Sequence, residues 1–173
     1  MTSSRHMCRA AGFSLVEAVI ATAIVGGLLV AAMTAVGATA RARQVTTDNE
    51  RALLLAKDLL DEVIAKPYFD PQGSITLGRE AGETTRIDFD DVDDYEGLID
   101  DPPSTPDARS ATSQVGWKRE VIVRWASRAN IQSDAHADEG VKRVEVHVSR
   151  RGKPICTLVA LRTSAWDQLL ETR

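Results

Sequence analysis

Across residues 12–40 the only ionisable side chain is Glu17, and residues 18–40 carry no charge at all. At a helical rise of about 1.5 Å, roughly 20 such residues cross a hydrocarbon layer ~30 Å thick. A soluble core helix of this length would show a polar face; this run shows none, so it predicts a membrane-spanning helix. Over residues 41–66 the pattern turns amphipathic. Ala52, Leu55, Ala56, Leu59, Leu60, Val63 and Ile64 recur at helical spacing, while Arg51, Lys57, Asp58, Asp61 and Glu62 fill the other face. Pro67 disfavours helical geometry at Lys66 and predicts the stop. No proline comes earlier, so residues 13–65 read as one helix of about 80 Å, with Gly26, Gly27 and Gly37 as its soft points.

Residues 67–116 lose this periodicity and are rich in Pro, Gly and Asp. Short strands are expected at 74–77 and 84–89, then a long loop, DDVDDYEGLIDDPPSTPDARSATSQVG. Three stronger strands follow. In KREVIVRWAS, Val121, Val123 and Trp125 share a face opposite Glu120 and Arg124. In VKRVEVHVSR, Val144, Val146 and Val148 oppose Arg143, Glu145 and His147. PICTLVALRT is apolar throughout, which predicts cover on both faces. RRGKP is a hairpin signal with Gly152 at the turn. In the tail SAWDQLLETR, Trp166 suggests that part packs down. A long helix laid across a small antiparallel sheet is an α+β fold.

The N-terminal motif is more specific than a bare apolar run. The preceding segment, MTSSRHMCRAAG, is basic through Arg5 and Arg9 and ends in glycine. A secretory signal places its small cleavage residue after the apolar region, whereas here it comes before, so a cut there leaves the helix intact. Gly12, Phe13, Ser14, Leu15, Val16 and Glu17, followed by the uninterrupted helix, resemble the start of type IV pilins and type II secretion pseudopilins. That resemblance implies cleavage by a prepilin peptidase after Gly12 and N-methylation of Phe13. It also implies that Glu17 pairs with the terminal amine of a neighbouring subunit during assembly. A carboxylate in lipid costs about 2.5–3.5 kcal/mol unless paired, and an ammonium is its natural partner. RALLLAKDLLDEVIAKPY resembles the minor subunits of pilus and pseudopilus tips.

On this reading the chain divides into a cytoplasmic leader (1–12), a transmembrane and assembly half-helix (13–40), an amphipathic half-helix (41–66) and an extracytoplasmic sheet domain (67–173) with an acidic loop at 88–115. Charge alone does not orient it, since Arg5 and Arg9 are answered by Arg41 and Arg43; the resemblance sets the leader in the cytoplasm and the subunit in the inner membrane. Its implied partners are the peptidase, other pilin or pseudopilin subunits and the membrane assembly platform. Composition fits one small exterior domain, with aromatics at only 5%, so the core must rest on Val, Leu, Ile and Ala. Loss of Arg5 and Arg9 with the leader takes the formal charge from −4 to −6, which argues against general nucleic-acid binding. Only Cys156 then remains of two cysteines, so no internal disulfide forms.

Asp88, Asp90, Asp91, Asp93 and Asp94 put five carboxylates in seven residues, with Asp100 and Asp101 nearby. Calcium takes six to eight oxygens, and Asp90, Asp91, Asp93 and Asp94 are its candidate ligands. The EF-hand pattern fails, because Tyr95 falls where the fifth-place ligand belongs and Glu96 where the glycine belongs. The other reading is a solvated turn anchored by Tyr95. Asp134, His136, Asp138 and Glu139 on a second loop make no closed shell. His147 is expected in solvent. Cys156 lies mid-strand, Ser164 lacks a nucleophile elbow, and Gly78 and Gly82 are isolated, so no catalytic constellation emerges. The expected function is structural, in a secretion pseudopilus or type IV pilus. Two alternatives stand: a binding protein or enzyme on an uncleaved anchor, and a DNA-uptake pilin with a basic patch around Arg124, Arg128, Arg143, Arg150, Arg151 and Lys153.

Overall fold

The computed structural model describes residues 12, 14–107 and 114–171, and the chain separates into two compact units between Val45 and Thr46. One long helix, α1 (Leu15–Ile64), packs on a four-stranded antiparallel sheet of order β1-β2-β3-β4, an α+β fold. The strands are β1 (Ile99–Asp100), β2 (Trp117–Trp125), β3 (Val141–Arg150) and β4 (Lys153–Thr163), and a short helix α2 (Ser164–Glu171) follows.

The part of α1 in the second unit buries the predicted stripe: Ala52, Leu55, Ala56, Leu59, Leu60 and Val63. They meet Val121 and Val123 of β2 and Val144, Val146 and Val148 of β3 in one core with Phe89, Val92, Tyr95 and Trp117. Alternation in the strands therefore selects the buried face as expected. The helix ends as Pro67 requires: the Lys66 amide bonds back to the Val63 carbonyl at 3.1 Å, tightening the last turn. The β3–β4 hairpin closes through Arg151 and Gly152, with φ of 50° and 76°, and Arg150 pairs with Lys153. Two left-handed residues in a two-residue loop match the twist of the strands they join, and glycine takes one of the two positions without strain.

Four local expectations are corrected. Residues 74–77 and 84–89 form bends and turns instead of strands. Their polar side chains fold back on nearby groups, as when Asp88 accepts from both the amide and hydroxyl of Thr85 at 2.9 and 2.7 Å. The long loop expected after them holds a 3₁₀ turn (Asp93–Tyr95) and β1. β4 is an edge strand covered on one face only; Val159 and Leu161 remain 54% and 39% exposed. Trp166 is 58% exposed, and what ties α2 down is Asp167, which accepts from the Tyr68 amide at 2.5 Å and pairs with Arg162.

The inner face of the sheet also carries three buried cations. Arg119 lies in the row of Val121 and Val123, Lys142 in that of Val144, and Arg162 pairs across to Lys142. Each finds carboxylates and backbone carbonyls. Register sets Asp100 directly opposite Arg119, which bonds it through Nε at 3.0 Å and also reaches the Leu55 carbonyl at 3.3 Å. Arg86 joins Asp100 to Glu62 of α1. Arg162 secures the chain just past the end of α1 by donating to the Lys66 carbonyl from Nε and Nη2 at 3.2 and 3.1 Å. Cations at a helix C-terminus satisfy carbonyls that have no partner within the helix.

Candidate functional site

The first unit contains the N-terminal motif around Glu17. Phe13 and the leader at 1–11 lie outside the described residues, as do residues 108–113 of the acidic loop. Gly12 is exposed, and Ser14 supplies the first helical acceptor, its carbonyl taking the Ala18 amide at 3.1 Å. Glu17 sits in the first turn and shares one shallow surface with Ile20, Ala21 and Ile24. A carboxylate thus heads an otherwise apolar face.

The described helix through Val45 buries almost none of itself. Val16, Ile20, Ile24, Leu28, Val30, Met33 and Val36 are all exposed by more than half. The most apolar stretch of α1 has a mean hydropathy of 2.3 and is wholly exposed among the described residues, so α1 is long and apolar enough to cross a membrane. Its hydroxyls are already spent. Thr22 donates to the carbonyls of Ala18 and Val19 at 3.0 and 2.9 Å, Thr34 to Ala31 at 2.8 Å, and Thr39 to Ala35 at 2.9 Å. That is the arrangement a hydrocarbon environment demands, where no water is present to complete a polar group.

The four aspartates of the acidic turn in the second unit, offered as calcium ligands, take up hydrogen bonds and ion pairs within the fold. Asp93 pairs with buried Lys142, and Asp91 lies 3.8 Å from the same ammonium. Asp91 also accepts from the amides of Asp93 and Asp94 at 2.7 and 3.2 Å. Asp94 accepts from the amides of Asp90 and Asp91 at 2.7 and 3.0 Å, and Asp90 accepts from the Gln72 amide group at 2.9 Å. These carboxylates therefore serve a turn and a buried lysine. Tyr95 anchors the turn as expected, its ring edge-on to Phe89 at 5.0 Å and its hydroxyl 2.8 Å from Glu62. Burial pushes the Asp91 carboxyl up to about 8; Lys142 opposes this, and Asp93 adds to it.

Carboxylates do gather elsewhere. Ligand oxygens of Glu80, Glu83 and Asp94 lie within 4.8 Å of one another. Burial pushes the Glu83 carboxyl up to about 7, with the acids at Asp94 and Glu80 contributing. In the sequence, GREAGE shows no ligand spacing, so Glu80 and Glu83 carry no signal there. The buried cations did leave a signal, since strand parity alone puts Arg119 with Val121 and Lys142 with Val144.

On the second acidic loop, Asp134 pairs with Arg143, Asp138 accepts from Tyr68 and Gly140, and Glu139 accepts from the Arg128 amide at 2.7 Å. His136 is exposed. His147 is half-exposed, 3.0 Å from the Thr157 hydroxyl. Cys156 is half-buried in β4, and Ser164 begins α2, its amide 3.1 Å from the Gly140 carbonyl.

Comparison with protein-family models, with curated proteins and with solved structures found no match for this chain.

Proposed function

We propose that this protein is a minor structural subunit of an envelope-spanning filament, a type II secretion pseudopilus or a type IV pilus. On this reading it is cut after Gly12 and N-methylated at Phe13. The observation that carries the reading is a helix apolar on every side through Val36, with a single carboxylate at Glu17 and nothing among the described residues to cover it. Such a surface needs lipid before assembly and neighbouring helices after it. Packing of the later part of α1 on a sheet supplies an exterior domain for the filament surface. The partners are then a prepilin peptidase, other subunits of the filament and the inner-membrane platform that builds it, and the role is structural rather than enzymatic.

The N-terminus of the protein from its native membrane decides between this and an uncleaved anchor bearing a binding domain or enzyme. Mass spectrometry should find an N-methylated chain beginning at Phe13. Gly12→Val should retain the leader, because a bulkier residue stands at the scissile bond. An intact leader on the parent chain, or normal processing of the variant, would remove this proposal. The DNA-uptake alternative draws less support, since Arg124, Arg143 and Arg150 of its basic patch already pair with Glu96, Asp134 and Glu145, and Asp48.

A further inference from the structure

We infer that Lys142 of β3 and Asp93 of the 3₁₀ turn join in an intramolecular isopeptide bond, with Asp91 relaying the proton. The two side chains are in direct contact and almost wholly buried, at 5% and 4% exposure. Asp91, 2% exposed, sets its Oδ2 3.8 Å from the same Lys142 nitrogen. An amine nucleophile, a carboxyl carbon to receive it and a second carboxyl beside both are the groups that amide formation needs. All three belong to the second unit, so the inference stands independently of the filament reading.

Each group is held in place by the fold. Lys142 Nζ donates to the Tyr68 carbonyl at 2.5 Å and lies 4.6 Å from the centre of the Tyr68 ring. Asp93 Oδ2 accepts the Gly78 amide at 3.2 Å, which leaves Oδ1 toward the amine. That amide is aimed where negative charge builds when the carbon becomes tetrahedral. Asp91 Oδ1 is fixed by the amides of Asp93 and Asp94 at 2.7 and 3.2 Å, which leaves Oδ2 for the lysine. Burial holds the Asp91 carboxyl up at about 8 against the opposing pull of Lys142, so it keeps a proton to give at neutral pH.

The reaction needs no outside reagent. Transfer of one proton from the ammonium to Asp93 leaves a neutral amine and a neutral acid. The nitrogen lone pair attacks Cγ, and the carbonyl electron pair moves onto Oδ2 beside the Gly78 amide. Asp91 gives its proton to the Oδ1 hydroxyl, which departs as water, and takes back the proton that the nitrogen loses. The C=O bond re-forms at Oδ2, so an ammonium and a carboxylate have become one amide and one water. Contact supplies the effective concentration. The driving force is burial, since two desolvated charges are replaced by a neutral group in a site that excludes the water needed for hydrolysis.

The test uses the full chain from its native membrane, weighed intact after denaturation and then digested with trypsin. We expect a mass one water below that of the unlinked chain. The bond blocks cleavage after Lys142, so residues 87–109 and 129–143 should emerge as one branched peptide. Dehydration within a single aspartate gives the same mass but linear peptides. Lys142→Arg keeps a buried cation without a nucleophilic amine. Asp91→Asn keeps an acceptor for the two amides without an acid to relay the proton. Both should show the full mass and linear peptides, with a cooperative tryptophan-fluorescence melt to report that they fold. Lys142→Met, alone or with Asp93→Asn, also lacks the amine, so those two variants compare charge alone. Linear peptides from the folded parent chain would overturn the bond, whatever the variants do. A folded Asp91→Asn protein linked to the parental extent would remove Asp91 from the reaction.

Discussion

Lys142 occupies an inward position on β3 beside Val144, yet its ammonium is buried with Asp93, Asp91 and the Tyr68 carbonyl. Desolvating an ammonium costs several kcal/mol, and only a close carboxylate and further acceptors offset it. The aspartates of the turn are thus the counter-charge to a lysine that strand alternation sends into the core. Replacing Lys142 by Met keeps the apolar stem and removes the charge, leaving the Asp93 carboxylate buried with its partner gone. We expect a loss of about 3–5 kcal/mol in urea unfolding followed by tryptophan fluorescence in EDTA. The double variant Lys142→Met with Asp93→Asn should recover much of that loss, because both charges are then absent. A double variant no more stable than the single one would show that the ion pair is not what holds the turn.

At the scale of elements, the stripe on α1 that faces the sheet supplies one wall of the second unit's core. Leu59 is fully buried there, while Leu54 on the opposite side is 68% exposed. Leu59→Asp should abolish the cooperative thermal transition or lower stability by more than about 4 kcal/mol, since an unpaired charge enters the core. Leu54→Asp should melt as the parent does, within about 0.5 kcal/mol; equal melts for both variants would mean that the helix presents another face. This stripe, β2 and β3 were legible in the sequence because their periods are sustained and one face is buried. β1 was not, since two residues such as Ile99 and Asp100 carry no period; long-range pairing with Glu120 and Arg119 makes them a strand. The apolar run of β4 predicted two covered faces, but composition does not tell a central strand from an edge one. The acidic turn was legible as a concentration of charge, though the partner that charge finds depends on Lys142, 49 residues away from Asp93 in the chain. Glu80 and Glu83 meet Asp94 only through two glycine turns, a geometry that leaves no spacing rule to read.

At the scale of the whole molecule, the filament proposal turns on whether Glu17 serves insertion or assembly. Glu17 lies in the first turn of a helix whose apolar surface through Val36 has no partner among the described residues. A carboxylate there opposes insertion, so Glu17→Ala should enter the membrane as well as the parent or better. The leader should still be removed, because the bond to be cut lies beyond Phe13, on the far side from Glu17. What should fail is docking beside a second subunit. The terminal amine of that subunit would then meet no counter-charge in a layer of low dielectric. At an effective dielectric near 20 and a separation of about 4 Å, such a pair contributes roughly 4 kcal/mol, enough to decide whether a subunit enters a stack. The measurement is crosslinking of the Glu17→Ala protein to its partner subunits in native membranes, with fractionation and leader cleavage as controls. Normal insertion, normal cleavage and lost crosslinks would assign the carboxylate to assembly, whereas crosslinks at the parental level would dismiss the pairing. A subunit at the extreme tip has no incoming amine to receive and could dispense with this acid, so a costly glutamate in the first turn of α1 favours a place within the helical stack.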